Sequence, residues 1–174
     1  MTWNSFHRRG EILRTVIDHA DERRDGTLPM DVEGVIETFG DELTLLGALQ
    51  LRWHTRLAGR IERELMNQPM DLEQAVVTAW QDTADELPGI RAIVDSHRSA
   101  PLDAAMAEAM GKSADKEHVL LAVMAGRSSG QDRAAVRVGA EIEALARVTH
   151  RPTPTAPEPA HDGLLERIKA ALAA

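Results

Sequence analysis

A chain of 174 residues, 43% apolar and 28% charged, has the size and composition of one globular domain with a core of its own. Its formal net charge of −8 works against long-range attraction to nucleic acid or anionic membranes. It has no cysteine, which excludes disulfides, thiolate chemistry and cysteine metal sites.

The longest apolar stretches, 43–51 and 119–125, fall far short of the ~20 residues of a membrane span. No small-residue cleavage site follows an apolar run near the N-terminus, so a cytoplasmic location without a membrane partner is expected. The acidity is uneven: residues 1–112 carry 12 basic and 20 acidic side chains, residues 113–174 eight of each. Arginine outnumbers lysine 17 to three, a bias typical of GC-rich genomes and not by itself a functional signal.

Helical periodicity recurs along the chain and strand alternation does not. A first helix is expected over 5–24, with Phe6, Leu13, Val16, Ile17 and Ala20 at helical spacing, ending at Asp25-Gly26. A short helix over 32–39 closes at Gly40. The longest, 42–66, carries the stripe Leu43, Leu46, Gln50, Trp53, Leu57, Ile61 and Leu65 and stops before Pro69.

A fourth helix, 72–87, presents Leu72, Ala75, Val76, Ala79, Trp80, Thr83 and Leu87. Pro88-Gly89 breaks or kinks it before a short piece reaching about His97. Two further helices, near 101–110 and 114–125, are joined through Gly111-Lys112-Ser113. After a loop at 126–130, a last helix over 132–149 turns Ala135, Val138, Ile142, Leu145 and Thr149 inward.

The fold class expected is therefore all-α: a bundle of about seven helices spanning 1–150. A proline-rich linker, 151–163, follows, with four of the chain's eight prolines. Residues 164–174 then read as a short amphipathic helix, too short to be stable alone in water.

Pro29-Met30-Asp31-Val32-Glu33 and Pro69-Met70-Asp71-Leu72-Glu73 repeat one pattern. Its physics is that of a helix start, with Asp31 and Asp71 as N-caps.

The seven histidines form neither the Glu-x-x-His pairs of di-iron bundles nor a His-Glu-x-x-His zinc motif. Asp18-His19 and Glu117-His118 are sequence neighbours, which point apart on a helix. The serines lie in no Gly-x-Ser-x-Gly elbow, and 126–130 lacks the lysine of a phosphate-binding loop. No catalytic residue, metal or cofactor is assigned.

Arg52, Arg56, Arg60 and Arg63 recur at four, four and three residues along one side of the long helix, where they could hold an anionic partner. Pairing with acidic faces such as Asp18/Asp21/Glu22/Asp25 or Glu33/Glu37 would instead consume them internally. A helix-turn-helix over 32–57 fits poorly, because its reading face (Glu42, Thr44, Leu45) has no basic residue. Nucleic acid is thus not an expected partner.

The expected function is a non-enzymatic protein–protein interaction module, with self-association as a homodimer included. Its contact residues would be the arginine row and Leu164, Leu165, Ile168 and Leu172 of the tail. The alternative is a helical enzyme or a small-ligand- or metal-binding bundle, with polar groups gathered between helices around His54, Glu62 and the arginines. A DNA-binding regulator comes third.

Overall fold

The computed structural model describes residues 3–151, with side chains from His7 onward. The linker from 152 and the tail residues Leu164, Leu165, Ile168 and Leu172 lie outside the described residues. Among the described residues there are seven helices and no strand: α1 (Trp3–Arg23), α2 (Val35–Phe39), α3 (Glu42–Asn67), α4 (Leu72–Glu86), α5 (Pro88–Ser99), α6 (Ala104–Met124) and α7 (Arg133–Thr149).

Aspartate starts most of these helices. The carboxylates of Asp41, Asp71 and Asp103 accept from the backbone N–H groups of Thr44, Gln74 and Met106 at 2.7, 3.0 and 2.7 Å. Asp132 accepts from both Ala134 and Ala135 at 3.0 Å. Each satisfies donors that the first helical turn leaves unpaired.

Asp31 does not act this way. Residues 30–34 form turns, and α2 begins only at Val35 behind Gly34, which sits at φ 82° and makes no side-chain cap. A side chain at Gly34 would be strained and would crowd Ile12 of α1. The Pro-Met-Asp pattern is therefore a helix start once, not twice.

Two other boundaries differ from expectation, and the break expected at Pro88-Gly89 is present. The two helices expected on either side of Gly111 are one, α6, because a lone glycine weakens a helix without ending it. Pro88 ends α4 but opens α5 at its first position, where its missing N–H costs nothing. The Gly89 N–H behind it donates to Asp21 of α1 at 2.7 Å, a cap supplied by another helix. At the end of α1, Arg24 rather than a glycine takes the first left-handed conformation, at φ 51°.

The central helix is α3. Leu45, Leu46, Leu49, Trp53, Leu57 and Ile61 are all buried, so the buried face includes Leu45 and Leu49, outside the expected stripe. Leu43 and Leu65, expected within the stripe, are only half-buried. Trp80 of α4 meets Trp53 edge to face, with centroids 5.9 Å apart and planes at 74°.

Helix α1 packs on α5 and touches α3, while α7 packs on α6 and α4. Two glycines permit the closest crossings. A Cβ at Gly89 would overlap the backbone of Ala20, and one at Gly139 would overlap the backbone of His118. On α7 the inward positions are Ala135, Gly139, Ile142, Glu143 and Ala146; Leu145 and Thr149, expected inside, face solvent.

Candidate functional site

The arginine row divides when α4 packs antiparallel to α3. Arg56 Nε donates to Glu86 Oε2 at 2.7 Å, and Arg60 Nη2 reaches the same oxygen at 2.8 Å, with Asp82 3.7 Å away. Burial favours the neutral form of Glu86, but the hydrogen bonds from both arginines outweigh it and lower its pKa. Internal pairing thus does take up Arg56 and Arg60, through α4 rather than through the acids of α1 or α2. Arg52 and Arg63 are exposed, and Arg52 lines a cleft of about 390 Å³ against Leu13 and Ile17 of α1.

His54 and Glu62 face away from that row, toward α6. Both line an open pocket of about 600 Å³ between α3 and α6, with Thr55, Lys116, Glu117 and Leu120. Ala58 and Gly59 keep its α3 wall low, and a Cβ at Gly59 would meet open space. His54 Nε2 stands 3.4 Å from Glu117 Oε2 at the inner edge.

Behind this pocket lies a buried ionic network. The Glu117 side chain is wholly buried. Its Oε1 accepts from Trp80 Nε1 at 3.3 Å and from Arg91 at 3.4 Å, and its Oε2 accepts from Arg98 Nη2 at 2.7 Å. Arg98 Nη1 continues to Glu143 at 3.3 Å, which also takes His118 Nε2 at 2.7 Å and Arg147 Nη2 at 2.7 Å. Asp95 closes the circuit, its Oδ1 bridging Arg91 and Arg147 at 2.7 Å each. Three carboxylates thus meet three guanidiniums, so the formal charges cancel.

Burial pushes both glutamates toward protonation, yet both stay ionised. For Glu117, the hydrogen bond from His54 and the charges of Arg91 and Arg98 win, holding the carboxyl far below the usual range. For Glu143, the hydrogen bonds from His118 and Arg147 and the charge of Arg98 prevail, and its pKa falls to about 2. Arg91 lies over Trp53 at 4.7 Å and Arg147 over Trp80 at 4.9 Å, so the aromatic pair is sandwiched by cations.

Of these residues the sequence reading placed Trp53 and Trp80 in apolar stripes and His54 in a ligand site, and weighed Glu117 and His118 as neighbours pointing apart. They do point apart, and each finds a partner on another helix. The available signal was a carboxylate inside an apolar stripe: Met110, Glu117 and Leu121 share one side of α6, and Gly139, Glu143 and Ala146 one side of α7. Among the described residues, no three histidine or acidic side chains converge to hold a metal ion.

A largely apolar opening lies between α6 and α7. Val119, Leu120, Val123 and Val136 line a groove of about 540 Å³, rimmed by Asp115, Lys116, Asp132 and Arg133. The α3–α4 turn lies at the same end of the bundle, where Arg127 pairs with Glu73 and Gly126 abuts Leu72. That end exposes Met66, Met70, Leu72 and Val123, with Met70 95% accessible. No helix among the described residues is long and apolar enough to cross a membrane. No family model, curated protein or solved structure matches this chain.

Proposed function

We propose that this chain is a non-enzymatic protein-interaction module that receives an apolar helix of a partner, or of a second copy, at the α6/α7 groove. The observation that carries the reading is the valine- and leucine-lined groove, at the end of the bundle where Met66, Met70 and Leu72 are exposed. A contiguous apolar opening with a charged rim is the usual layout for helix-in-groove recognition, and methionines adapt to varied apolar partners. The buried charges, by contrast, are matched three to three and hold helices together. Val123→Arg should abolish capture of the partner by full-length protein and leave its melting temperature within about 2 °C, since Val123 is 38% exposed. Glu37→Arg, on the distant α2, should leave capture intact. Equal capture by the Val123 and Glu37 variants would reject the groove.

A second reading has its own observation: His54 and Glu62 line one open pocket with Thr55 and Lys116. A small polar ligand there would co-purify with the chain and be seen in native mass spectra, and His54→Ala would release it.

A further inference from the structure

We propose that the cleft between α1 and α3 binds a small aliphatic carboxylate, with Arg14 and Arg52 on its head and Leu13 and Ile17 under its body. The cleft shares no residue with the α6/α7 groove, so the proposal stands apart from the docking function.

The cleft follows from how α1 is fastened. Its C-terminal half is tied to α5, where Gly89 lies against the backbone of Ala20 and its N–H donates to Asp21 at 2.7 Å. Its N-terminal half is tied to α2, where Arg9 lies over the Phe39 ring at 4.3 Å and donates to the Thr38 carbonyl at 3.0 Å. Positions 10, 13, 14 and 17 share another side of the helix, and that side faces Arg52 of α3 across a cleft of about 390 Å³. Gly10 keeps the α1 wall low, since a Cβ there would meet nothing within 4 Å.

Charge selects the head of the ligand. Residues 7–17 carry three arginines and one glutamate, in a chain whose formal net charge is −8. Of the described residues that line the cleft, His7, Arg14 and Arg52 are basic and none is acidic. Glu86 takes up Arg56 and Arg60 from the arginine row and leaves Arg52. Among the described residues neither Arg14 nor Arg52 forms an ion pair, although Glu11 and Asp18 lie one turn to either side of Arg14. Two guanidinium forks match the two oxygens of a carboxylate. The lining residues stand inside α1 and α3, away from the free N–H groups that phosphates take at helix starts.

The floor selects the body. Leu13 is half-buried and Ile17 buried, and no hydroxyl or amide side chain lines the cleft to meet a sugar or polyol. An aliphatic chain is what this surface can cover.

Isothermal titration of the full-length chain with octanoate tests the site. Octanoate should bind at least about tenfold more tightly than acetate, which lacks the body, or 1-octanol, which lacks the charge. Arg14→Gln and Arg52→Gln should each weaken it about tenfold, the scale of one charge-assisted contact. Arg63→Gln, exposed on α3 outside the cleft, should leave the affinity unchanged. Gly10→Leu should fill the cleft and block binding with no fall in melting temperature, because leucine is the better helix former. Equal octanoate affinity in wild type and in the variant carrying both Arg14→Gln and Arg52→Gln would overturn the proposal, as would the lack of saturable binding. Inorganic phosphate binding as tightly as octanoate would also overturn it, since the apolar floor would then contribute nothing.

Discussion

Removing the carboxylate of Glu117 leaves Arg91 and Arg98 facing each other in the core without their shared counter-ion. Glu117→Ala should therefore destabilise by about 3–5 kcal/mol in urea unfolding, the cost of breaking a buried ionic pair from one side. Its partner Glu143 gives the pH dependence. The pKa of that carboxyl is about 2 when folded and 4.5 in its ordinary state, so the unfolded chain takes up the proton first as pH falls. The stability is complete above about pH 5.5, and about 2 kcal/mol is lost between pH 7 and pH 3. In Glu143→Gln that acid-dependent loss should shrink, and an unchanged loss would place it elsewhere. The capping aspartates separate just as sharply. Asp71→Ala should cost about 1 kcal/mol, whereas Asp31→Ala, which removes no cap, should stay within about 0.5 kcal/mol. At this scale the sequence revealed which residues can cap but not which do, because Asp31 is overridden three residues later by a left-handed glycine.

Two glycines on neighbouring helices make opposite demands. Gly139 is the contact point of α7 on α6, and a methyl group there overlaps the backbone of His118. Gly139→Ala should destabilise by about 2–3 kcal/mol, since backbone cannot yield as a side chain can. Gly111 lies inside α6 with nothing near its Cα, and Gly111→Ala should stabilise by about 0.5–1 kcal/mol by reducing the freedom of the unfolded chain. A loss on Gly111→Ala would mean that α6 is broken there, as periodicity alone suggests. Periodicity found α1, α3, α4 and α7 because each carries a clear apolar side. It failed at Gly111 because a glycine marks a helix end, a close crossing and a tolerated interior position with the same letter. It also misjudged Leu145, which the tilt of α7 over α4 and α6 leaves outside in favour of Gly139 and Ala146.

The described residues form a helical body with an ionic network facing inward and an apolar groove between α6 and α7 at the end that also holds the α3–α4 turn. The partition of the arginine row was hidden from the sequence, since it depends on α4 lying beside α3 and bringing Glu86 within reach. So was the meeting of Glu117, Glu143 and the three arginines, which comes from three helices. The pairing of His54 with Glu62 around one pocket was legible, because eight residues on one helix bring them to the same side. The groove was not, because its floor is shared between α6 and α7 and neither helix signals it alone. The most direct test of the docking function is site-specific photo-crosslinking in cells from position 123 of the full-length chain. The expected result is a covalent adduct with another protein chain, missing when the crosslinker is moved to Glu37. No intermolecular adduct from position 123 would contradict the account.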